Sequence, residues 1–227
     1  MISAVIFDMD GVLIETESIY RETFRVILSR YGVNFSDKDF VQLTGRTLEK
    51  GGARNIIERF KLPVDEQTFV RDVYRVFNQL SQSMKPREGV VEVLELLKRI
   101  GVKIAVATST VREIATARLQ KAGLAESFNV MVFGDEVESS KPNPQIYLET
   151  LKRLGVQSTE TVVFEDSVNG VKAAVQAEVL YVFGVLHQHN SADDLVQAGA
   201  FYAEKPPEIF YFFLRNVLQI RKNKLYF

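Results

Sequence analysis

The sequence predicts an α/β protein: a parallel sheet with helices on both faces, interrupted early by an all-helical insertion. Three observations carry this. Short apolar runs recur without the polar–apolar alternation of a one-sided sheet, as strands buried on both faces do. From about residue 87 onward such runs alternate with patterns of helical spacing. Residues 15–85 carry helical patterns and no convincing buried strand.

Taken in order, the first run is Ala4 to Phe7. The insertion then reads as helices over Ser18 to Tyr31, Leu48 to Phe60 and Asp65 to Leu80. Beyond it, Val90, Val91, Leu94, Leu97 and Ile100 repeat at helical spacing, and Gly101 stops them. A strand over Ile104 to Ala107 precedes a helix over Arg112 to Ala122, closed by Gly123. Val130 to Phe133 is the third run, Pro144 to Leu154 a helix closed by Gly155, Val162 to Phe164 the fourth run, and Val168 to Ala177 a helix. The tail "EIFYFFLRNVLQIRKNKLYF" reads as a last amphipathic helix with a solvated basic end. The core is therefore expected over 1–14 and 86–227, and the helical cap over 15–85.

The bulk properties agree. A chain of 227 residues is long for one compact domain and short for two. Hydrophobic residues make up 46% and charged residues 25%, an ordinary globular balance. A formal net charge of -1 supplies no basic field to gather nucleic acid. With no cysteine, disulfides, thiol catalysis and cysteine-ligated zinc or iron–sulfur centres are excluded. The two histidines, His187 and His189, read as part of a surface turn rather than a metal pair. The start has no basic flank, and its apolar run is too short for a signal or a membrane span. A cytoplasmic monomer with no membrane partner is expected.

Chemistry gathers where the apolar runs end. The first is followed by Asp8 and Asp10, the second by Thr108 and Ser109, the third by Lys141, and the fourth by Glu165 and Asp166. Open α/β sheets bind ligands at the carboxyl ends of their strands, so one edge would collect all of these. Two like charges ~4 Å apart at an effective dielectric of ~20 cost ~4 kcal/mol, and Lys141 cannot neutralise the set alone. A hard divalent cation with oxygen ligands can, and Mg²⁺ combines one or two carboxylates with water and phosphate. Thr108, Ser109 and the backbone N–H groups of the next helix can bond a phosphoryl group.

These stretches resemble the haloacid dehalogenase superfamily, in its branch of β-phosphoglucomutase-like phosphatases with a helical cap. "FDMDGVLIETE" resembles the first motif of that family, "ATST" the second, "KPNPQIY" the third and "VFEDSVNGV" the fourth. The resemblance runs over nearly the whole chain and implies a Rossmann-like core with a mobile cap. It implies Asp8 as nucleophile, Asp10 as general acid and then base, and Thr108 and Lys141 as phosphoryl ligands. It also implies Mg²⁺ on Asp8, the backbone carbonyl of Asp10, and Asp166, with Glu165 helping. The implied activity is hydrolysis of a small phosphorylated metabolite, a sugar phosphate. Sugar phosphomutase and a non-catalytic binding protein are the alternatives.

The chain departs from the mutase pattern in places. Tyr20 stands where the mutase has an assisting histidine, and Val111 where it has a lysine for a second phosphate. Arg46 matches the arginine with which the mutase cap grips that phosphate. Glu178 replaces a glycine common after the fourth motif's helix, and only a helix cap is expected to change.

Overall fold

A computed structural model describes residues 2–43, 48, 51–81 and 84–219. The chain divides into two compact units, residues 1–14 with 85–227, and residues 15–84.

The first unit holds a parallel sheet. Its strands are β1 (Ala4–Phe7), β2 (Lys103–Ala107), β3 (Val130–Val132), β4 (Thr161–Glu165), β5 (Tyr181–Val185) and β6 (Tyr202–Glu204). Their spatial order is β3-β2-β1-β4-β5-β6. The chain runs outward from β1 through β2 to β3, then crosses to β4 on the other side. The order thus reverses beside β1, at the kind of point where α/β sheets hold their ligands. β5 and β6 were not foreseen. β5 carries a glycine, Gly184, against which Ala203 and Leu195 pack so closely that a Cβ there would lie 2.7 Å and 2.9 Å from their side chains. β6 is three residues long.

The two faces of the sheet are packed differently. Ala4, Ile6, Ala105, Ala107 and Val163 face the helices that follow β3, β4 and β5: α7 (Gln145–Leu154), α8 (Val168–Gln176) and α9 (Ala192–Gln197). On the other face Phe7, Phe164 and Phe183 sit in register on adjacent strands and stack at 5.1 Å and 5.3 Å. Phe210 and Phe213 of α10 (Glu208–Asn216) close over them. α5 (Val90–Arg99) packs against β2 and α10, while α6 (Arg112–Lys121) follows β2. The expected final helix is therefore α10. The basic end of the tail, residues 220–227, lies outside the described residues.

The second unit consists, among the described residues, of α1 (Glu17–Ser29), α2 (Asp37–Leu43), α3 (Gly52–Phe60) and α4 (Glu66–Leu80). α2 is a helix the sequence reading did not include. Phe24, Ile27, Phe40, Ile56, Phe69 and Val73 share one apolar core. Tyr20 is part of the same packing, its ring 4.5 Å from that of Phe77 and 6.1 Å from that of Phe24. No helix among the described residues is long and apolar enough to cross a membrane.

Two residues past the end of α8, Glu178 is exposed and takes a left-handed backbone with φ 57. A side chain there costs about 1 kcal/mol or more that glycine does not. Glu178→Gly is expected to stabilise the fold by about 1 kcal/mol, read as a rise in the denaturant midpoint at unchanged slope. A fall in the midpoint would show that the glutamate side chain makes compensating contacts.

Candidate active site

The site is assembled by register. Phe7 pairs with Val106 on β2 and with Phe164 on β4, so the next residues, Asp8, Ala107 and Glu165, stand level at the sheet edge. The Asp8 N–H continues the ladder by donating to the Phe164 carbonyl at 2.9 Å. Lys141, eight residues past Phe133, reaches all three. Its Nζ donates to Asp8 Oδ1 at 2.5 Å, to Glu165 Oε1 at 2.6 Å and to the Ala107 carbonyl at 3.0 Å. Asp8 is 7% exposed and Glu165 fully buried.

Glu165 is the last residue of β4 rather than a loop residue beyond it. Both its oxygens are engaged within the chain. Oε1 accepts from Lys141 and from the Tyr147 hydroxyl at 2.6 Å. Oε2 accepts from the backbone N–H groups of Asp166 and Ser167 at 3.0 Å and 3.2 Å, and from the Ser167 hydroxyl at 3.2 Å. Glu165 thus seats the Lys141 ammonium beside Asp8 and ties it to Tyr147 and the start of α8. Gly170 makes this seat possible, since a Cβ there would fall 1.9 Å from the Glu165 carboxyl.

Asp10 lies past the end of β1, in the turn that runs to Ile14, so strand alternation does not orient it. Thr110 and Arg118 hold it instead. The Thr110 hydroxyl donates to Oδ2 at 2.8 Å, and Arg118 Nη1 to Oδ1 at 2.7 Å. Gly11 bends this turn with φ 80, and a Cβ there would fall 1.9 Å from Asp166 Oδ2. Glycine is thus required by the Asp166 carboxylate, which packs directly on the turn that carries Asp8 and Asp10. Arg87 ties the turn to the strand-end loops by donating to the Gly11 and Leu186 carbonyls at 2.6 Å and 2.9 Å.

Thr108 is 1% exposed and its Oγ1 accepts from the Thr110 N–H at 3.1 Å. Ser109 follows it, half-buried, with its carbonyl pressed against Gly134, where a Cβ would lie 2.0 Å away. His187 does not belong to a plain surface turn. Its Nε2 lies 3.2 Å from Asp166 Oδ2, and Asn190 Nδ2 donates to the Asp166 carbonyl at 2.7 Å. Arg46 lies outside the described residues. Arg112, beside Val111, is exposed, bonded to Glu136 at 2.6 Å and laid over the Phe133 ring at 4.4 Å.

Burial pushes the Asp8 carboxyl well above the usual carboxylate range; Lys141 opposes the shift, and Glu165 and Asp166 add to it. Burial pulls the Lys141 ammonium down, but Asp8 and Glu165 outweigh it and hold the ammonium charged. Burial, then Glu165, raises the Tyr147 phenol, which stays a donor. Among the described residues the Lys141 ammonium is paired with both Asp8 and Glu165, and the Asp166 carboxylate adds to the negative field at Asp8. The Asp8 and Asp166 carboxylates offer oxygen donors of the kind a hard divalent cation takes, with His187 Nε2 3.2 Å from Asp166 Oδ2.

The sequence motifs led to Asp8, Asp10, Thr108, Ser109, Lys141, Glu165 and Asp166, and the structure brings these to one sheet edge. They did not lead to Thr110, Arg118, Tyr147 or His187. Tyr147 and Thr110 are the last residues of the quoted motifs "KPNPQIY" and "ATST", whereas nothing around Arg118 marks it.

Such an edge, with acidic groups and a lysine beside the switch point of a parallel sheet, defines an α/β enzyme acting at its strand ends. The family profile of the haloacid dehalogenase-like hydrolases matches residues 5–183, and the chain belongs to that family. It is 40% identical over 210 residues to the phosphorylated carbohydrates phosphatase of Thermotoga maritima, covering 91% of this chain and 95% of that one. It is 34% identical to the fructose-1-phosphate phosphatase YqaB of Escherichia coli, over 76% of this chain and 90% of the relative. Among solved structures it is similar to a Thermotoga maritima protein provisionally described as a β-phosphoglucomutase, with a TM-score of 0.82 and 38% identity over 95% of this chain and 100% of the other. The chain is an enzyme of the phosphatase kind, a phosphoric monoester hydrolase.

Proposed function

We propose that the chain is a cytoplasmic, Mg²⁺-dependent phosphatase that hydrolyses a small sugar phosphate through an aspartyl phosphate on Asp8. The observation that carries the reading is the Lys141 ammonium bound to both Asp8 and Glu165, with Asp166 packed on the Asp8–Gly11 turn. A carboxylate is there held in place by one oxygen, while Oδ2 takes no hydrogen bond among the described residues.

In the first step a carboxylate oxygen of Asp8 attacks phosphorus, the bond to the sugar oxygen breaks, and Asp10 donates its proton to that oxygen. In the second step water attacks the same phosphorus, Asp10 takes a proton from it, and the bond to Asp8 breaks to release inorganic phosphate. Lys141 and Thr108, with Ser109 and the N–H groups around it, hold the phosphoryl oxygens throughout. Asp8, the Asp10 carbonyl and Asp166 would hold Mg²⁺, which supplies charge neutralisation at the phosphoryl group when bound. Glu165 seats Lys141 and would help that set through water. The helical unit, residues 15–84, acts in this reading as the cap that selects the sugar.

Phosphomutase is the second reading, favoured by the description of the Thermotoga maritima structure. Against it, Tyr20 is packed among Phe24 and Phe77, and Val111 offers no charge to a second phosphate. In the mutase reading Arg46 would grip that second phosphate. The two separate by product. With β-glucose 1-phosphate, a trace of the 1,6-bisphosphate and Mg²⁺, inorganic phosphate should form at least about 10-fold faster than glucose 6-phosphate. The opposite ratio overturns the phosphatase reading.

A further inference from the structure

Arg118 sits on α6 and is 3% exposed, and its helix neighbours Ala115 and Leu119 are buried apolar residues. A guanidinium almost never occupies such a place unless paired. Its partner is the Asp10 carboxylate, 2.7 Å away and itself about a quarter exposed. A buried ion pair is weak as a source of stability, since desolvation consumes most of its attraction. An apolar side chain at 118 would leave Asp10 without its Oδ1 donor.

The other Asp10 oxygen is held by Thr110, from the loop that leads from β2 into α6. That segment starts with Thr108 and Ser109, the groups read above as phosphoryl ligands, and Thr110 is linked to Thr108 Oγ1 through its own N–H. Asp10 itself stands in a turn, outside the sheet ladder, with no strand geometry to aim it. Its two oxygens are therefore oriented from one stretch of chain, the loop between β2 and α6 and α6 itself, and that loop also carries the phosphoryl-binding hydroxyls.

We propose that Arg118 and Thr110 are the positioning residues of Asp10, aiming its carboxyl at the leaving oxygen of a phosphate seated at Thr108. The proposal rests on the reading of Asp10 as general acid. Arg118 touches no reacting atom; it acts through Asp10, and it must yield Oδ1 or let the carboxyl turn when the proton is passed.

The test compares two substrates, because a sugar alkoxide needs a proton to leave and p-nitrophenolate does not. The readout is the ratio of kcat/KM for a hexose phosphate to kcat/KM for p-nitrophenyl phosphate. This quantity reports steps only through loss of the first product, so the later work of Asp10 as base does not enter. Asp10→Asn, which keeps an oxygen acceptor for Arg118, should lower the ratio by about 100-fold or more. Arg118→Met and Thr110→Val should lower it by roughly 10-fold or more, in kcat rather than KM, and Arg118→Lys should recover part of the loss. A merely structural role would depress both substrates alike and leave the ratio unchanged. If Asp10→Asn lowers the ratio and the Arg118 and Thr110 variants do not, the positioning proposal is overturned. If Asp10→Asn itself leaves the ratio unchanged, the acid reading of Asp10 fails instead. Arg118→Lys keeps a cation in the buried seat, so it decides the question should Arg118→Met not fold.

Discussion

Asp8→Asn is expected to lower turnover by on the order of 10⁶-fold, to the limit of detection, while the protein stays folded. The amide has the shape of the carboxyl and can still accept from Lys141 through Oδ1, but it is a poor nucleophile toward phosphorus. Stability should not fall. Asp8 is a buried carboxyl raised by burial and by Glu165 and Asp166. A carboxyl whose folded-state value is raised is favourable to folding below its unfolded-state value and loses that contribution as pH rises through the raised one. Above its unfolded-state value the wild-type carboxyl therefore opposes folding, and a neutral amide removes that opposition. The variant should melt at or above the wild-type temperature at pH 7 without Mg²⁺, and the gap should close as pH is lowered. Residual turnover above about 1% would end the covalent mechanism, since a mere electrostatic role for Asp8 loses less. A folded variant that melts well below wild type would show that Lys141 needs the Asp8 charge to stay in place.

Withdrawal of Mg²⁺ is the second large effect. Excess chelator should abolish turnover, and Mg²⁺ should restore it. The reason lies in the carboxylates at the end of β1, where the Lys141 ammonium is shared by Asp8 and Glu165 and Asp166 adds to the negative field at Asp8. Lys141 is shared between Asp8 and Glu165, so a cation held by Asp8 and Asp166 would relieve the repulsion between carboxylates that raises Asp8. The same repulsion predicts a response independent of activity. Mg²⁺ at about 100 times its dissociation constant should add about 2.7 kcal/mol to the unfolding free energy. That increment should shrink in Asp166→Asn, whose side chain packs on Gly11 beside the site. Ca²⁺ should bind and stabilise yet inhibit, because its looser coordination misplaces a nucleophile that must attack in line. Full turnover in chelator, or no change in melting with Mg²⁺, would remove the metal from the reading.

Much of the fold was legible because the information is local. Ala4–Phe7, Lys103–Ala107 and Thr161–Glu165 are apolar over most of their length, and a buried parallel strand needs little else. Asp8, Lys141 and Asp166 announced themselves by breaking such runs or by following them closely in short motifs. β5 and β6 did not, since Gly184 weakens the first pattern and three residues hardly make a second. α2 was likewise hidden, being seven residues with only Phe40, Val41 and Leu43 as apolar positions.

The sequence by itself determined the class of the sheet, the order in which its strand ends deliver acid, hydroxyl, lysine and acid, and the oxygen-rich chemistry those groups share. Only the tertiary structure decided how that chemistry is divided. Register set Asp8, Ala107 and Glu165 at one level, so that a single ammonium spans them and Glu165 becomes the seat of Lys141. Helix packing brought Arg118 to Asp10 across 108 positions of chain, and a loop brought His187 to Asp166. No pattern in the chain marks such pairs, because a lone arginine on a helix or a histidine in a turn reads as solvated until another element buries it. The strand ends are written in contiguous residues, whereas the groups that hold and aim them act through space, and only folding supplies those distances.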